Sequence, residues 1–176
     1  MIVQLRLQQR ATQPIWLPPL PEATTLDLIA GEPRPTSSGL RIRASAPLRF
    51  PIGIIDDPTR QWQDTWEMDL LASGGHTQIT GGPGSGKSTL LRTIAASLAL
   101  THPPSAVSVY VLDLLGSGLL SLRDLVNVGG VAARAEQEAV RRTLEEVRGL
   151  LHQREALFQR YRVDSLAALQ NVPDAS

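Results

Sequence analysis

The chain has 176 residues, of which 42% are apolar and 19% are charged. This length suits one buried core and is short for two full domains, and the apolar content excludes a disordered tail. The 17 basic and 17 acidic side chains cancel, so no global field attracts nucleic acid or an anionic membrane. With no apolar run long enough for a membrane span, no secretory leader and no cysteine, we expect a soluble, unexported chain without disulfides or thiolate metal sites.

The N-terminal third of the chain is rich in proline, with nine of the 13 prolines in residues 14–58. Proline removes a backbone donor and biases the preceding residue away from helix, so we expect short extended pieces and no long helix there. Apolar and polar residues alternate in three short stretches, which predicts short strands with one solvated face. These stretches are residues 2–7, 40–43 and 66–70.

Residues 16–21, Trp-Leu-Pro-Pro-Leu-Pro, indicate polyproline II, which is either a docking strap or a surface linker. We expect two parts: a Pro-rich segment with short strands at residues 1–50, and a second domain at residues 51–176. The three tryptophans either anchor the docking of a linker or substrate tail, or pack in a core or strap. They are Trp16, Trp62 and Trp66.

From residue 76 onward, short apolar runs alternate with helical patterns, which predicts an α/β fold with a mainly parallel sheet and helices on both faces. Strands are predicted at residues 76–80, 107–112 and 126–131, and helices at residues 88–100, 136–162 and 166–170. The longest helix carries an apolar stripe that either covers a sheet or contacts a partner helix. Its arginines alternate with glutamates, which favours a solvated face over a DNA groove.

Residues 81–89, Gly-Gly-Pro-Gly-Ser-Gly-Lys-Ser-Thr, match the P-loop pattern of Gly, four residues, Gly-Lys and Ser or Thr. The motif lies between a predicted strand and a predicted helix, as its mechanism requires. Glycines let backbone N–H groups turn inward without Cβ clashes and form an anion nest at a helix N-terminus. The predicted nucleotide-binding residues are Gly82, Pro83, Gly84, Ser85, Gly86, Lys87, Ser88 and Thr89.

Three side chains of this loop have predicted roles toward ATP and Mg²⁺. Lys87, the single lysine of the chain, would reach between the β- and γ-phosphates. Ser88 would place its hydroxyl on Mg²⁺, and Thr89 would hydrogen-bond the α-phosphate.

Hydrolysis needs a further acidic group on a neighbouring strand, and Asp113 ends an apolar strand. Two interpretations stay open: Asp113 contacts Mg²⁺ as the Walker B aspartate, or it only ends the strand and Walker B comes later. No second apolar strand ending in Asp-Glu occurs between residues 131 and 176. The sequence therefore predicts the N-terminal part of an ATPase module, incomplete at its C-terminus, with an unpaired sheet edge and no assigned catalytic glutamate.

Arg134 follows a predicted strand and a pair of glycines. Ring ATPases complete a neighbouring site with an arginine finger, which stabilises charge in the transition state. Arg134 is a candidate for this role, and the alternative is a solvated or salt-bridged arginine.

Motifs along nearly the whole chain resemble the FtsK/SpoIIIE-type ATPase modules of actinobacterial type VII secretion motors, the EccC family. The middle module of these motors is the most similar. The motifs that carry the resemblance are residues 16–21, 51–58, 75–93, 100–104, 128–134, 141–143 through 154–158, and 164–168.

The resemblance implies a P-loop NTPase of the RecA/FtsK-like type, with ATP and Mg²⁺ as cofactors. It also implies adjacent ATPase modules in the same polypeptide, a possible ring, and export of small helical-hairpin proteins that carry a C-terminal signal. The place of such a motor is the cytoplasmic face of the cell membrane, behind an anchor outside this chain. The resemblance puts Walker B beyond Ser176, so it implies that Asp113 is not the Mg²⁺ aspartate.

One loop departs from the family pattern: residues 113–118 read Asp-Leu-Leu-Gly-Ser-Gly where the family commonly has Asp-Phe-Gly-Gly-Gly. The leading hypothesis is an ATP-binding module of a secretion motor. One alternative is a double-stranded DNA translocase module, which the neutral charge disfavours. Another is a docking module that uses nucleotide as structural glue without hydrolysis.

Overall fold

The computed structural model describes residues 16–37, 39–44, 46–72, 75–116 and 118–172. The chain divides into two compact units: Met1–Thr80 with Leu100–His102, and Gly81–Ala99 with Pro103–Ser176. The sequence analysis places its boundary after residue 50, whereas this division falls after Thr80, because residues on both sides of position 50 form one hairpin. The strand predicted at residues 2–7 lies outside the described residues.

The first unit contains short elements, as its proline content predicts. They are α1 (Leu26–Ala30), β1 (Arg34–Thr36), β2 (Gly39–Arg41), β3 (Arg49–Asp57) and β4 (Trp62–Asp69). β1 and β2 form one antiparallel pair, and β3 and β4 form another. β2 confirms the first two residues of the strand predicted at 40–43, and β4 contains residues 66–69 of the strand predicted at 66–70.

β3 is not predicted from the sequence, because Pro51 inside it is a residue that interrupts most strands. The structure accommodates this proline at an irregularity in the β3–β4 register, between Pro51 and Gly53. The side chains of Phe50 and Ile52 are buried. At the turn, Asp57 Oδ1 accepts hydrogen bonds from Thr59 Oγ1 at 2.6 Å and Thr59 N at 3.1 Å. The Thr59 hydroxyl is the main cause that lowers the pKa of the Asp57 carboxyl.

Residues 16–21 lie against the β3–β4 hairpin. Gln63 Nε2 donates a hydrogen bond of 2.8 Å to the Pro18 carbonyl, and Trp16 and Leu17 border a small cavity at the turn. These contacts favour the strap over the free linker. Trp16, Trp62 and Trp66 are 71%, 45% and 51% exposed, so none of them is a core residue, and their docking role stays a prediction.

The second unit begins with α2 (Lys87–Thr101), whose last two residues belong to the first unit. It continues with β5 (Val109–Asp113), a 3-10 helix (Leu120–Asp124), β6 (Val128–Ala133), α3 (Gln137–Tyr161) and α4 (Leu166–Gln170). β5 and β6 pair in parallel, which confirms the predicted parallel crossover. The three predicted helices are confirmed within one or two residues at each end. Ser165 Oγ caps α4 by accepting a hydrogen bond from Ala168 N at 3.3 Å.

The strand predicted at residues 76–80 is wrong for this structure. A strand needs a neighbour to bond its N–H and C=O groups, and no segment in the described part of the chain pairs with residues 76–80. The segment before the P-loop therefore forms no strand in this structure.

The core of the second unit lies between α2, the 3-10 helix and the sheet. Its buried members are Ala95, Leu119, Leu122 and Val131. Asn127 joins the segments that precede β5 and β6. Its Nδ2 donates a hydrogen bond to Val107 O at 2.9 Å, and its backbone carbonyl accepts one from Val109 N at 2.8 Å.

The apolar stripe of α3 is divided between two environments. Val140, near its start, is half-buried, and the helix contacts β6 and β5, which supports the predicted sheet-covering role. Leu144, Val147 and Leu151 are 40% to 56% exposed. Glu138 pairs with Arg141, which also lowers the pKa of the Glu138 carboxyl. Such intrahelical pairs confirm the solvated charged face.

In the part of the chain that the structure describes, no helix has the combination of length and hydropathy that a membrane crossing requires. The same residues hold no group of three His, Cys, Asp or Glu side chains that could bind a metal ion.

Candidate functional site

The backbone of residues 81–89 folds as a tight glycine loop before α2. Gly84 and Gly86 have φ angles of +72° and +87°, a left-handed conformation that side-chain-bearing residues rarely adopt. At Gly81, a Cβ atom would collide with the hydroxyl of Ser85. The left-handed backbone therefore favours glycine at positions 84 and 86, whereas a Cβ atom on Gly82 would meet nothing within 4 Å.

The amide N–H groups at the start of α2 are available for an anion. The first helical hydrogen bond runs from Leu90 N to Gly86 O at 2.8 Å. Among the described residues, no acceptor bonds the N–H groups of Gly86, Lys87, Ser88 and Thr89. They border a concavity of about 240 Å³ lined by residues 84–89. Backbone donors that converge on a cavity at a helix N-terminus attract negative charge.

Lys87 fastens the two ends of this loop together. Its Nζ donates hydrogen bonds to the carbonyls of Gly81 at 2.8 Å and Gly82 at 2.5 Å, and lies 3.4 Å from Ser85 Oγ. The one lysine of the chain therefore lies beside the concavity that the amides border. An ammonium group has three N–H donors, and two of them bond the Gly81 and Gly82 carbonyls, so a phosphate oxygen would use the third donor or replace a carbonyl.

The hydroxyl of Thr89 lies on the first turn of α2. Thr89 Oγ1 accepts a hydrogen bond of 3.3 Å from Arg92 Nη2, and the backbone carbonyl of Thr89 accepts one of 3.1 Å from Thr93 Oγ1. Accepting from Arg92 orients the Thr89 hydroxyl and leaves its hydrogen able to donate. Ser88, the predicted Mg²⁺ ligand, is exposed.

Asp113 is the last residue of β5 and is buried. Its Oδ1 accepts a hydrogen bond from Gly116 N at 3.1 Å, and its Oδ2 accepts one from Leu119 N at 3.0 Å. Both carboxylate oxygens therefore hold the loop that follows the strand. This contact set matches the strand-end interpretation, and the role of Asp113 as a metal ligand stays a prediction.

The loop after β5 reaches the P-loop. A Cβ atom built on Gly118 would lie 3.7 Å from Ser88 Cβ and 3.8 Å from Ser88 Oγ. The carboxyl end of β5 and the N-terminus of α2 thus meet at the same edge of the sheet, where ligands bind in open α/β folds. The sequence signal for this proximity is weak, because only the order of strand and helix indicates it.

Arg134 follows β6 at the same edge. Its backbone N–H donates to the Asp113 carbonyl at 3.1 Å. Its side chain is exposed, and no carboxylate in the described part of the chain pairs with it. The salt-bridged alternative therefore has no support in these residues, and the arginine-finger role stays a prediction.

An ion pair that sequence reasoning missed joins Arg123 of the 3-10 helix to Glu136. Arg123 Nη2 lies 2.9 Å from Glu136 Oε2 and donates to the Val131 carbonyl at 3.0 Å. Glu136 Oε2 also accepts from Ala133 N at 2.9 Å. The Ala133 amide, followed by Arg123, lowers the pKa of Glu136. No local pattern signals a pair formed between separate elements.

A glycine loop with left-handed backbone, a lysine and converging amides, placed at the edge of a parallel strand pair, defines a P-loop NTPase. The sequence profile described as the FtsK/SpoIIIE family matches residues 41–175. This match covers more than half of the chain, and the chain belongs to the FtsK/SpoIIIE family.

The relatives of this chain are components of type VII (ESX) secretion systems. It is 40% identical over 171 residues to the ESX-1 secretion system protein EccCb1 of Mycolicibacterium smegmatis, covering 97% of this chain and 27% of that protein. It is 40% identical over 164 residues to the ESX secretion system protein EccC of Thermomonospora curvata, covering 90% of this chain and 12% of that protein. The chain thus spans about a quarter or less of these relatives.

A solved structure shows the same fold. It is Thermomonospora curvata EccC, ATPases 2 and 3, in complex with a signal sequence peptide. The match has a TM-score of 0.77 and 39% identity, and it covers 89% of this chain and 29% of that one. The P-loop NTPase fold expected from the sequence is therefore confirmed.

Proposed function

We propose that the chain binds ATP with Mg²⁺ at residues 81–89 and serves as an ATPase module of a type VII secretion motor. The observation that carries the proposal is the set of amides from Gly86 to Thr89 that find no acceptor and border one concavity beside Lys87. A triphosphate offers the oxygens that these donors lack. The similarity to EccC proteins supplies the wider function.

The residues of the loop fit a nucleotide with its metal ion. Gly84 and Gly86 shape the backbone, Lys87 takes the β- and γ-phosphates, and Thr89 donates to the α-phosphate. The exposed hydroxyl of Ser88 would hold Mg²⁺, which neutralises phosphate charge when bound. Gly82, Pro83 and Ser85 complete the wall of the cradle.

The wider assembly is inferred from the relatives. We propose that the chain works next to further ATPase modules of the same polypeptide, at the cytoplasmic face of the cell membrane. Its cargo would be small helical-hairpin proteins with a C-terminal signal. In a ring of such modules, the exposed Arg134 would serve as the arginine finger toward a neighbouring site.

Calorimetric titration of Mg-ATP into the chain tests the binding site. Lys87→Ala is expected to lower the affinity at least about tenfold, because charge-assisted bonds to phosphate are lost. Arg148→Ala, an exposed change on α3, is the matched control and should bind as the wild type does. Equal binding by the wild type and Lys87→Ala, or no binding by a folded wild type, would contradict the proposal.

The DNA-translocase alternative is weaker on electrostatic grounds. On α3, Arg141 pairs with Glu138 and Glu145, and Arg142 pairs with Glu138, so two acidic side chains balance the two arginines. Duplex affinity that falls steeply with salt concentration would revive the alternative, since each neutralised phosphate adds to that slope.

A further inference from the structure

The loop after β5 depends on one buried side chain. Asp113 is 7% exposed, and each of its carboxylate oxygens accepts a backbone N–H, from Gly116 at 3.1 Å and from Leu119 at 3.0 Å. Bonds to an ionised carboxylate are stronger than bonds between neutral groups. The Asp113 side chain therefore fastens the middle and the end of the loop to the strand that precedes it.

Apolar packing fixes only the far end of this loop. Leu119 is buried in the core cluster with Ala95. Leu114 and Leu115 are 47% and 99% exposed, so the first half of the loop has no apolar anchor. Among the described residues of this loop, Gly116 is therefore held by the Asp113 carboxylate, and Leu119 is held by both the carboxylate and the core.

This path brings the loop backbone alongside the predicted metal-binding hydroxyl. Gly118 directly precedes Leu119, and a Cβ atom on it would stand 3.7 Å and 3.8 Å from the Cβ and Oγ atoms of Ser88. A shift of the loop therefore changes the space around Ser88. The Lys87 ammonium has its hydrogen bonds with Gly81 and Gly82, outside this loop, so we expect a shift of the loop to affect Ser88 before Lys87.

We propose that Asp113 is a positioning residue of the nucleotide site, which acts through Gly118 on the surroundings of Ser88. The inference rests on the proposed function and deepens it. Lys87 and the α2 amides contact phosphate directly, so they determine affinity with or without Mg²⁺. Asp113 determines only the gain in affinity that Mg²⁺ provides, because Ser88 is the group that would hold the metal.

The test measures ATP affinity of the chain by calorimetry twice, with Mg²⁺ and with EDTA. Asp113→Asn replaces one acceptor oxygen by an NH₂ group that faces a backbone N–H. We expect the ATP affinity of this variant in EDTA to stay within about twofold of the wild type. The factor by which Mg²⁺ raises the ATP affinity should fall about tenfold, which corresponds to the free energy of one hydrogen bond. Asp124→Asn, an exposed change in the same unit, is the matched control and should keep the full gain.

If Asp113→Asn loses its fold, its ATP affinity in EDTA will be lost as well. Substitutions of Gly118 then provide an independent test. The space beside Ser88 accommodates the methyl of Gly118→Ala at ordinary contact distance, whereas the larger side chain of Gly118→Val presses on Ser88. Gly118→Val should therefore lose the Mg²⁺-dependent gain, and Gly118→Ala should keep it. Amide exchange at Gly116 and Leu119 should accelerate in Asp113→Asn.

Two different results would overturn two different statements. If the wild type binds ATP and Lys87→Ala does not, but Asp113→Asn and Gly118→Val keep the full gain from Mg²⁺, the positioning role is wrong and the nucleotide site stands. If the folded wild type does not bind ATP, the proposed function is wrong and the role of Asp113 falls with it.

Discussion

The backbone N–H of Leu48 donates a hydrogen bond of 3.0 Å to Nε2 of His102. His102 directly follows α2, and its Nδ1 shares a hydrogen bond of 2.8 Å with Thr101 Oγ1. Leu48 has a left-handed backbone, with φ of +56°, which a leucine adopts only under constraint. The imidazole therefore stabilises the strained residue that leads into β3.

The first prediction is that the stability of the chain falls in mild acid because of His102. Burial is the main cause that lowers the pKa of His102, and Arg41 lowers it further. As the pH falls through about 6.5, the unfolded chain takes up a proton that the folded chain resists, so the free energy of unfolding decreases. Protonation would also remove the Nε2 lone pair that accepts from Leu48.

Urea unfolding at pH 7.5 and 5.5 measures this effect. His102→Gln should reduce the stability at pH 7.5 by about 1–3 kcal/mol, since the Leu48 amide loses its partner. It should also flatten the pH dependence between these values. His152→Gln, an exposed change on α3, should leave the slope as in the wild type. An unchanged slope in His102→Gln would show that another group titrates.

The second prediction concerns the backbone of Gly86. Alanine there must adopt a left-handed conformation, so Gly86→Ala should lower the stability by about 1–2 kcal/mol and weaken ATP binding. Gly149→Ala is the opposite control, because Gly149 lies inside α3 with open space for a methyl group. It should raise the stability by about 0.5–1 kcal/mol. Thermal unfolding and calorimetry measure the two effects, and equal signs in both variants would refute the conformational explanation.

The third prediction separates two neighbouring glycines of β6. A Cβ atom on Gly129 would meet the Tyr110 ring at 2.7 Å, whereas one on Gly130 would lie 3.9 Å from Thr143 Oγ1. Gly129→Ala should therefore displace the ring and cost about 1 kcal/mol or more. Gly130→Ala should change the stability by at most about 0.5 kcal/mol. Denaturant unfolding decides, and equal losses would mean that strand conformation matters more than the ring contact.

The fourth prediction concerns Glu136 in stronger acid. Its pKa is lowered by the Ala133 amide and then by Arg123, so its contribution to stability is present above the unfolded value of 4.5 and is lost as the pH falls. Glu136→Gln should therefore be less stable than the wild type at neutral pH, with the difference shrinking below pH 4.5. Exposed Glu146→Gln is the control. A difference that persists unchanged at pH 3 would exclude the carboxylate as the cause.

Local patterns in the sequence were enough to predict α2, α3, α4 and the site loop, but not α1 or the 3-10 helix. The apolar repeat and the Thr-His-Pro-Pro stop define α2, β-branched residues mark β5, and the glycine-lysine motif marks the cradle. The sequence analysis missed features that depend on contacts between distant segments. β3 contains Pro51, and a strand accommodates a proline there only because its register with β4 is irregular. The segment at residues 76–80 has the composition of a strand but pairs with no other strand in the described residues. The Asp113 contacts with its loop and the Arg123–Glu136 pair depend on how separate elements meet.

The hydrogen bonds of Lys87 to Gly81 and Gly82 have a practical consequence for chemical labelling. Because the chain has one lysine, its Nζ is the one side-chain amine that an acylating reagent can modify. A reagent of this kind modifies the P-loop lysine and the α-amine at the N-terminus, which peptide mapping tells apart. The fraction of chains acylated at Lys87 reports on whether that amine is engaged or free.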